Sequence, residues 1–231
     1  MNRPSETTQV EVKSVYQVDR RNFVFGDVMH HRLKYFLSPQ FDLYLNIKQY
    51  FLDRADKLNM QKNYHILDYG CGNGIGAMLM VGSERDVDGI DNDPQMVNFA
   101  NQLFGHLCYF GVDDWSRKNA FAVPNELFDV VTCIEVVEHV DEPRQLIKRL
   151  RQCVASDGII FFSTLNHNSQ YRKNVCHVGK YHVDDFVHLI NEDFPGAWAT
   201  DYTLSGVIEP DSTRTPVVVI WDGSGYMGSN G

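Results

Sequence analysis

His65-Ile66-Leu67-Asp68-Tyr69-Gly70-Cys71-Gly72-Asn73-Gly74-Ile75-Gly76 is the stretch on which the fold is decided. An apolar run ends in an acid, and four glycines at alternate positions then open a helical pattern, which reads as strand, tight turn and helix start. Glycine lets the backbone take the dihedrals of such a turn and lets a ligand come close to the main chain. Downstream, short apolar runs keep alternating with helical stretches, the rhythm of a doubly wound α/β fold with a mostly parallel sheet. Strands are expected over Tyr64–Tyr69, Asp86–Ile90, Leu107–Val112, Phe128–Ile134, Gly158–Ser163, Ala199–Leu204 and Val217–Trp221. The intervening helices are expected over Gly74–Val81, Pro94–Phe104, Pro143–Val154 and Val183–Ile190.

Upstream, Phe41, Leu45, Lys48 and Leu52 interleave with Leu43, Ile47, Tyr50 and Phe51 after Pro39, an amphipathic helix leading into the core. Residues 1–39 show no long periodic stretch and read as an N-terminal arm or lid; residues 40–222 read as the ligand-binding domain, and the Gly- and Ser-rich residues 223–231 as a flexible tail.

The chain has 231 residues, 43% of them hydrophobic, and a net charge of −9. That composition excludes a disordered or fibrous protein, and the charge disfavours a broad duplex nucleic-acid or anionic-membrane footprint. No apolar run approaches the roughly 18 residues of a membrane helix, and the polar start lacks a signal-peptide core, so the chain is expected in the cytoplasm. Cys71, Cys108, Cys133, Cys153 and Cys176 are widely spaced and odd in number, which suits reduced thiols better than a disulfide framework or a cysteine zinc site.

A doubly wound sheet binds its ligand at the carboxyl ends of its strands, and three successive strand ends carry acids. Gly72-x-Gly74-x-x-Ala77 fits a nicotinamide dinucleotide pattern, yet Asp68 just before the loop would repel a pyrophosphate and attract an ammonium or sulfonium, which favours S-adenosylmethionine. Asp91 ends the second strand, placed to accept from both hydroxyls of a ribose. Asp113, Asp114 and Trp115 follow the third, where an acid and an aromatic suit an adenine.

With ILDYGCGNG and VDGIDNDP the chain resembles the class I S-adenosylmethionine-dependent methyltransferases over roughly residues 64–190. That resemblance implies a Rossmann-like, seven-stranded doubly wound sheet whose last strand is antiparallel. It implies a cofactor lying across residues 68–74, 91 and 113. The cofactor-binding set is then Asp68, Gly70, Cys71, Gly72, Asn73, Gly74, Asp91, Asn92, Asp113, Asp114, Trp115 and Ile134.

The fourth strand end reads Ile134-Glu135-Val136-Val137-Glu138-His139-Val140-Asp141-Glu142-Pro143. On a helical turn Glu135, Glu138 and His139 share one face. Two chemistries follow. His139 can serve as general base toward an acceptor hydroxyl, oriented by Glu135 or Glu138. Alternatively the two carboxylates and His139, joined by His177, hold Mg, Mn or Zn that acidifies that hydroxyl. Residues 166–182 add Arg172, Lys173, Lys180 and three histidines without an acid, which suits an anionic small-molecule acceptor. Arg144, Lys148, Arg149 and Arg151 are expected on the solvated face of their helix.

CIEVVEHVDEP followed by FFSTLNHN resembles the ubiquinone-biosynthesis O-methyltransferases, which implies transfer to a ring hydroxyl. The E-x-x-E-H set also resembles the metal-dependent 2′-O-methyltransferases acting on the 3′-terminal ribose of small RNAs. There Glu135, Glu138, His139 and His177 would be the metal ligands and an RNA end the partner. A catalytically silent binding module and a nicotinamide oxidoreductase are the remaining alternatives.

Overall fold

The computed structural model describes residues 39–60, 63–83, 85–113, 127–167, 178–206, 208 and 216–226. The arm expected over residues 1–39 lies outside them but for Pro39, as do residues 227–231 of the expected tail.

Helix α1 (Pro39–Lys57) buries Leu43, Tyr44, Ile47, Phe51 and Ala55 along one stripe. Its C-terminal end is fixed by Arg54, which is 1% exposed. The guanidinium donates from Nε to Asp222 Oδ2 at 2.7 Å and from Nη2 to Asp222 Oδ1 at 3.0 Å and to the Asp157 carbonyl. Lys48 donates to the carbonyls of Leu79 and Val81 at 2.8 and 3.0 Å. It thereby closes the C-terminal end of helix α2 (Ile75–Met80), which has no basic residue in its own last turn.

Strand β1 (Tyr64–Tyr69) pairs in parallel with β2 (Arg85–Asp91) on one side and β4 (Phe128–Ile134) on the other. Beyond β2 lies β3 (Tyr109–Val112), reached through α3 (Pro94–Phe104). Beyond β4 lies β5 (Val154–Thr164), reached through α4 (Pro143–Cys153). Helix α5 (Val183–Asn191) precedes β6 (Trp198–Asp201), and β7 (Val217–Asp222) inserts antiparallel between β5 and β6. The order β3-β2-β1-β4-β5-β7-β6 makes the seven-stranded, mostly parallel sheet that the sequence pattern predicts, with its switch point between β1 and β4.

Strand alternation divides the core into two layers. Ile66, Val130, Phe161, Val218 and Ile220 pack toward α1, α2 and α3. Leu67, Val131, Phe162, Val217 and Val219 pack toward α4 and α5. Both faces are therefore apolar, as a sheet covered by helices on both sides requires.

The expected boundaries move where a backbone partner overrides the pattern. Strand β3 begins at Tyr109, because the Leu107 and Cys108 amides are held by the Phe104 carbonyl at the end of α3. Strand β5 begins at Val154, directly from α4, and pairs with Phe128 before a register shift. Strand β6 ends at Asp201, whose Oδ1 accepts from the Thr203 amide and hydroxyl, and Leu204 then turns left-handed at φ 56°. Past Asp222, Ser224 donates to Asp222 from its amide at 2.9 Å, and the Tyr226 ring sits 5.7 Å from Tyr50. Among the described residues Cys71, Cys108, Cys133 and Cys153 are buried and free. No described helix is long and apolar enough to cross a membrane.

Candidate active site

The glycine loop takes its shape from three left-handed residues, Gly70, Gly72 and Gly74 at φ 78°, 51° and 79°. The Gly70 and Cys71 amides donate to the Ile90 carbonyl at 2.7 and 3.0 Å, which bends the loop over the end of β2. At Gly74 a side chain is doubly excluded: besides the dihedral, a Cβ would stand 2.8 Å from the Phe110 ring and 2.9 Å from Ala100. At Gly72 the opposite holds. A Cβ there would meet nothing within 4 Å, so the loop leaves open space on that side.

That space is part of an open cleft at the carboxyl ends of the strands. Its lining comprises Tyr69, Gly70, Gly72, Ile90, Asp91, Asn92, Asp93, Met96, Asp113, Glu135, Val136, His139 and Val140. Asp91 accepts the Gly72 amide on Oδ2 at 2.8 Å and the Asp93 amide on Oδ1 at 2.9 Å. A carboxylate has about four lone-pair sites, so each oxygen keeps capacity for one hydroxyl of a diol. Burial raises the Asp91 carboxyl above its usual range, opposed by those amides.

Asp113 is 1% exposed and held from two sides. Tyr69 donates its hydroxyl to Oδ2 at 2.6 Å, and Arg149 donates to Oδ1 at 3.2 Å. The expectation of Arg149 on a solvated helix face is thus corrected: its long stem carries the cation off α4 to a buried carboxylate. Arg151 lies 4.8 Å over the Trp221 ring, and Arg144 pairs with Glu192.

Several expected cofactor residues stand behind the cleft rather than on its wall. Asp68 is 0% exposed. Its Oδ1 accepts hydroxyls from Tyr44 and Thr132, each at 2.7 Å, while Oδ2 is buried without a partner. Burial, opposed by those two hydrogen bonds and by the Ala77 amide, pushes this carboxyl up to about 6. Asn73 turns back to accept the Ile75 amide at 3.2 Å, Cys71 is buried, and Ile134 packs in the core. Asp114, Trp115 and His177 lie outside the described residues. Sequence reasoning missed Tyr69, Ile90, Asp93, Met96, Val136 and Val140 on the wall. Of these Asp93 carried a signal, because an Asp before Pro94 is a helix cap, and its Oδ1 accepts the Gln95 amide at 2.9 Å.

The expected shared helical face of Glu135, Glu138 and His139 does not form. Glu135 is left-handed at φ 57°, and a separate 3₁₀ turn over Val137–His139 follows it. A left-handed residue resets the rotation of the chain, so spacing of three and four no longer aligns side chains. Glu135 is fixed by its amide donating to the Ser163 hydroxyl at 3.1 Å and by that hydroxyl donating to Oε1 at 3.0 Å. With His139 it lines the cleft.

Glu138 is buried, 1% exposed, with its carboxyl against that of Glu135. Its carbonyl accepts the amides of Val178 and Gly179 at 2.8 and 2.9 Å. Burial pushes both carboxyls up, and the neighbouring Glu135 pushes Glu138 further. Among the described residues no three His, Cys, Asp or Glu side chains gather at metal-binding geometry. The proposed metal set is therefore not assembled by these residues: the Glu135 and Glu138 carboxyls lie against each other, and among the described residues no third ligand joins them.

Residues 29–199 match the family model described as "Methyltransferase domain". The chain belongs to the methyltransferase domain family. Its methyl donor is S-adenosylmethionine, and the nicotinamide alternative left open by the glycine spacing falls with that result. An enzyme from Glaesserella parasuis named ubiquinone biosynthesis O-methyltransferase is 35% identical over 121 residues, 50% of this chain and 51% of that protein. Its namesake from Stutzerimonas stutzeri is 32% identical over 151 residues, 61% of this chain and 64% of that protein. The chain thus spans between half and two thirds of the length of these relatives. Among solved structures, an S-adenosylmethionine-dependent methyltransferase from Clostridium acetobutylicum superposes with a TM-score of 0.60 at 13% identity, over 78% of this chain and 91% of that one. A TehB-like methyltransferase from Corynebacterium glutamicum gives 0.53 at 18% identity, over 73% of this chain and 85% of that one. At such identities these two speak for the fold alone.

Proposed function

We propose that the chain is an S-adenosylmethionine-dependent O-methyltransferase acting on a hydroxyl of a small-molecule acceptor. The observation that carries this reading is the lining of one cleft by the diol-competent Asp91, the clamped Asp113 and the pair Glu135 and His139. Asp91 takes the ribose, the loop from Gly70 to Gly74 carries the methionine end, and the Asp113 region takes the adenine. Methyl transfer needs the acceptor oxygen roughly 3–3.5 Å from the methyl carbon and in line with its bond to sulfur. The oxygen forms the new C–O bond as the C–S bond breaks onto sulfur, which consumes the sulfonium charge. His139 receives the hydroxyl proton. Glu135, held by Ser163, faces the same space.

The acceptor class is supported by the curated relatives, named for methylation in ubiquinone biosynthesis. A ring hydroxyl fits that name and a base of histidine strength. The RNA-end reading needs a metal set that Glu135, Glu138 and His139 do not assemble, so no step is derived through a metal.

Calorimetric titration of S-adenosylhomocysteine into the full chain tests the cofactor placement, with Asp91→Ala as comparison. Unchanged affinity in that variant overturns it. Transfer of labelled methyl to a panel of catechols and phenols, with and without chelator, tests the chemistry. Full activity in His139→Ala removes the base. Activity that vanishes with chelator and returns with Mg, Mn or Zn restores the metal reading.

A further inference from the structure

We infer that Tyr44 and Thr132 are positioning residues for cofactor binding: their hydroxyls hold Asp68 as a buried anion behind the glycine loop, where its charge favours the cationic methionine end of the donor. This rests on the cofactor reading above. Tyr44 comes from α1 and Thr132 from β4, so two elements distant in sequence converge on the same oxygen, each at 2.7 Å. Gly70 and Gly72 line the cleft while Asp68 does not, which places the loop between the carboxylate and the ligand. Asp68 therefore acts through its field rather than by touching the donor.

The seat of Tyr44 is built. Tyr44 is 4% exposed, and a Cβ on Gly76 would fall on its ring, so that glycine in the first turn of α2 serves the tyrosine rather than the ligand. The titratable groups facing Asp68 are Asp91 on β2, Cys71 in the loop, Cys108 before β3 and Cys133 on β4. None of these is a cation. Burial pushes the Asp68 carboxyl up to about 6, and the hydroxyls of Thr132 and Tyr44, with the Ala77 amide as a smaller contribution, hold it from rising further. A missing donor lets the Asp68 carboxyl rise further, so that the loop loses part of the negative field behind it as neutral pH is approached from above.

Affinity for S-adenosylhomocysteine, which keeps the ammonium, is to be measured by calorimetry between about pH 5 and 8.5 on the full chain, with thermal melting of each variant. Wild-type affinity is expected to weaken as pH falls through about 6. Tyr44→Phe and Thr132→Val are expected to move that step upward, with a loss of roughly tenfold near pH 6.5 and near-wild-type binding at the alkaline end. Asp68→Asn should remove the step and weaken binding across the range. Any pH dependence left in it belongs to the carboxyls that line the same cleft, above all Glu135, which burial pushes up to about 7. Wild-type profiles in both hydroxyl variants, with Asp68→Asn still weak, overturn this inference and leave the cofactor reading standing. Wild-type affinity in Asp68→Asn overturns the placement of the methionine end itself. If Tyr44→Phe does not fold, Thr132→Val alone decides.

Discussion

Replacing Arg54 by Met keeps most of the side chain's volume and removes a buried cation. In the native protein that cation is 1% exposed and the Asp222 side chain is 0% exposed. The guanidinium makes two hydrogen bonds to the carboxylate, at 2.7 and 3.0 Å, one to the Asp157 carbonyl, and one to Met60 Sδ at 3.4 Å. In Arg54→Met, Asp222 keeps only Ser224, whose amide and hydroxyl both bond to Oδ1. Breaking one partner of a buried pair costs about 3–5 kcal/mol, because the surviving charge stays desolvated. For a chain of this size about 1 kcal/mol lowers Tm by roughly 2–4 °C, so a drop on the order of 10 °C is expected. Urea denaturation followed by fluorescence measures the change directly, with the midpoint falling at unchanged slope. Arg54→Met combined with Asp222→Asn should recover part of the loss, since the stranded charge is gone. The pair lies at the opposite end of the sheet from the cleft, next to Gly158, so cofactor affinity in the cold should survive. A loss below about 1 kcal/mol, or no recovery in the double variant, refutes the account of α1 as pinned by a buried ion pair.

Asp68→Asn should stabilise the fold while it weakens binding. The folded carboxyl titrates at about 6 against an ordinary 3.8, so the native state holds its proton more tightly than the unfolded chain. Wild-type stability therefore falls as pH rises from about 4 to 6, by up to about 3 kcal/mol, and Asn removes that fall. Denaturation at pH 5 and pH 8 checks this, and an equal pH dependence in wild type and variant contradicts it. Gly76→Ala should cost about 1–3 kcal/mol, because the methyl group overlaps the buried Tyr44 ring. Its Tm should fall together with cofactor affinity, and unchanged values of both would show that the ring moves freely. Arg149→Met should weaken S-adenosylhomocysteine binding by roughly tenfold, the scale of one lost hydrogen bond to a charged group. Wild-type affinity would mean that Tyr69 alone holds Asp113.

Much of the architecture was legible in the sequence because apolar runs bounded by Gly, Pro and Asp are a direct consequence of burying both faces of a parallel sheet. β1, β4 and α3 have the expected bounds for that reason. The site was legible in its acids and less so in their directions. Asp68 shares strand parity with Ile66, and which helix layer that face meets depends on α1, far away in sequence. Glu135 in a left-handed conformation breaks the apparent spacing of the acidic turn, and nothing about a glutamate announces it. Arg149 sits at a polar position of a strongly amphipathic helix, so its reach to Asp113 depends on tertiary proximity alone.

The insertion of β7 between β5 and β6 orders the fold in time as well as in space. Strands β1 to β5 can pair among themselves as they emerge during synthesis, yet β6 pairs only with β7 and waits for it. Until Val217–Asp222 is available, the edge of β5 stands open with Phe161 and Phe162 beside it, a template for a strand of another chain. A chain cut before Val217 would keep every described wall residue of the cleft and lose the protection of its sheet. It would be expected in inclusion bodies rather than in solution, with the chemistry of the cleft intact and out of reach.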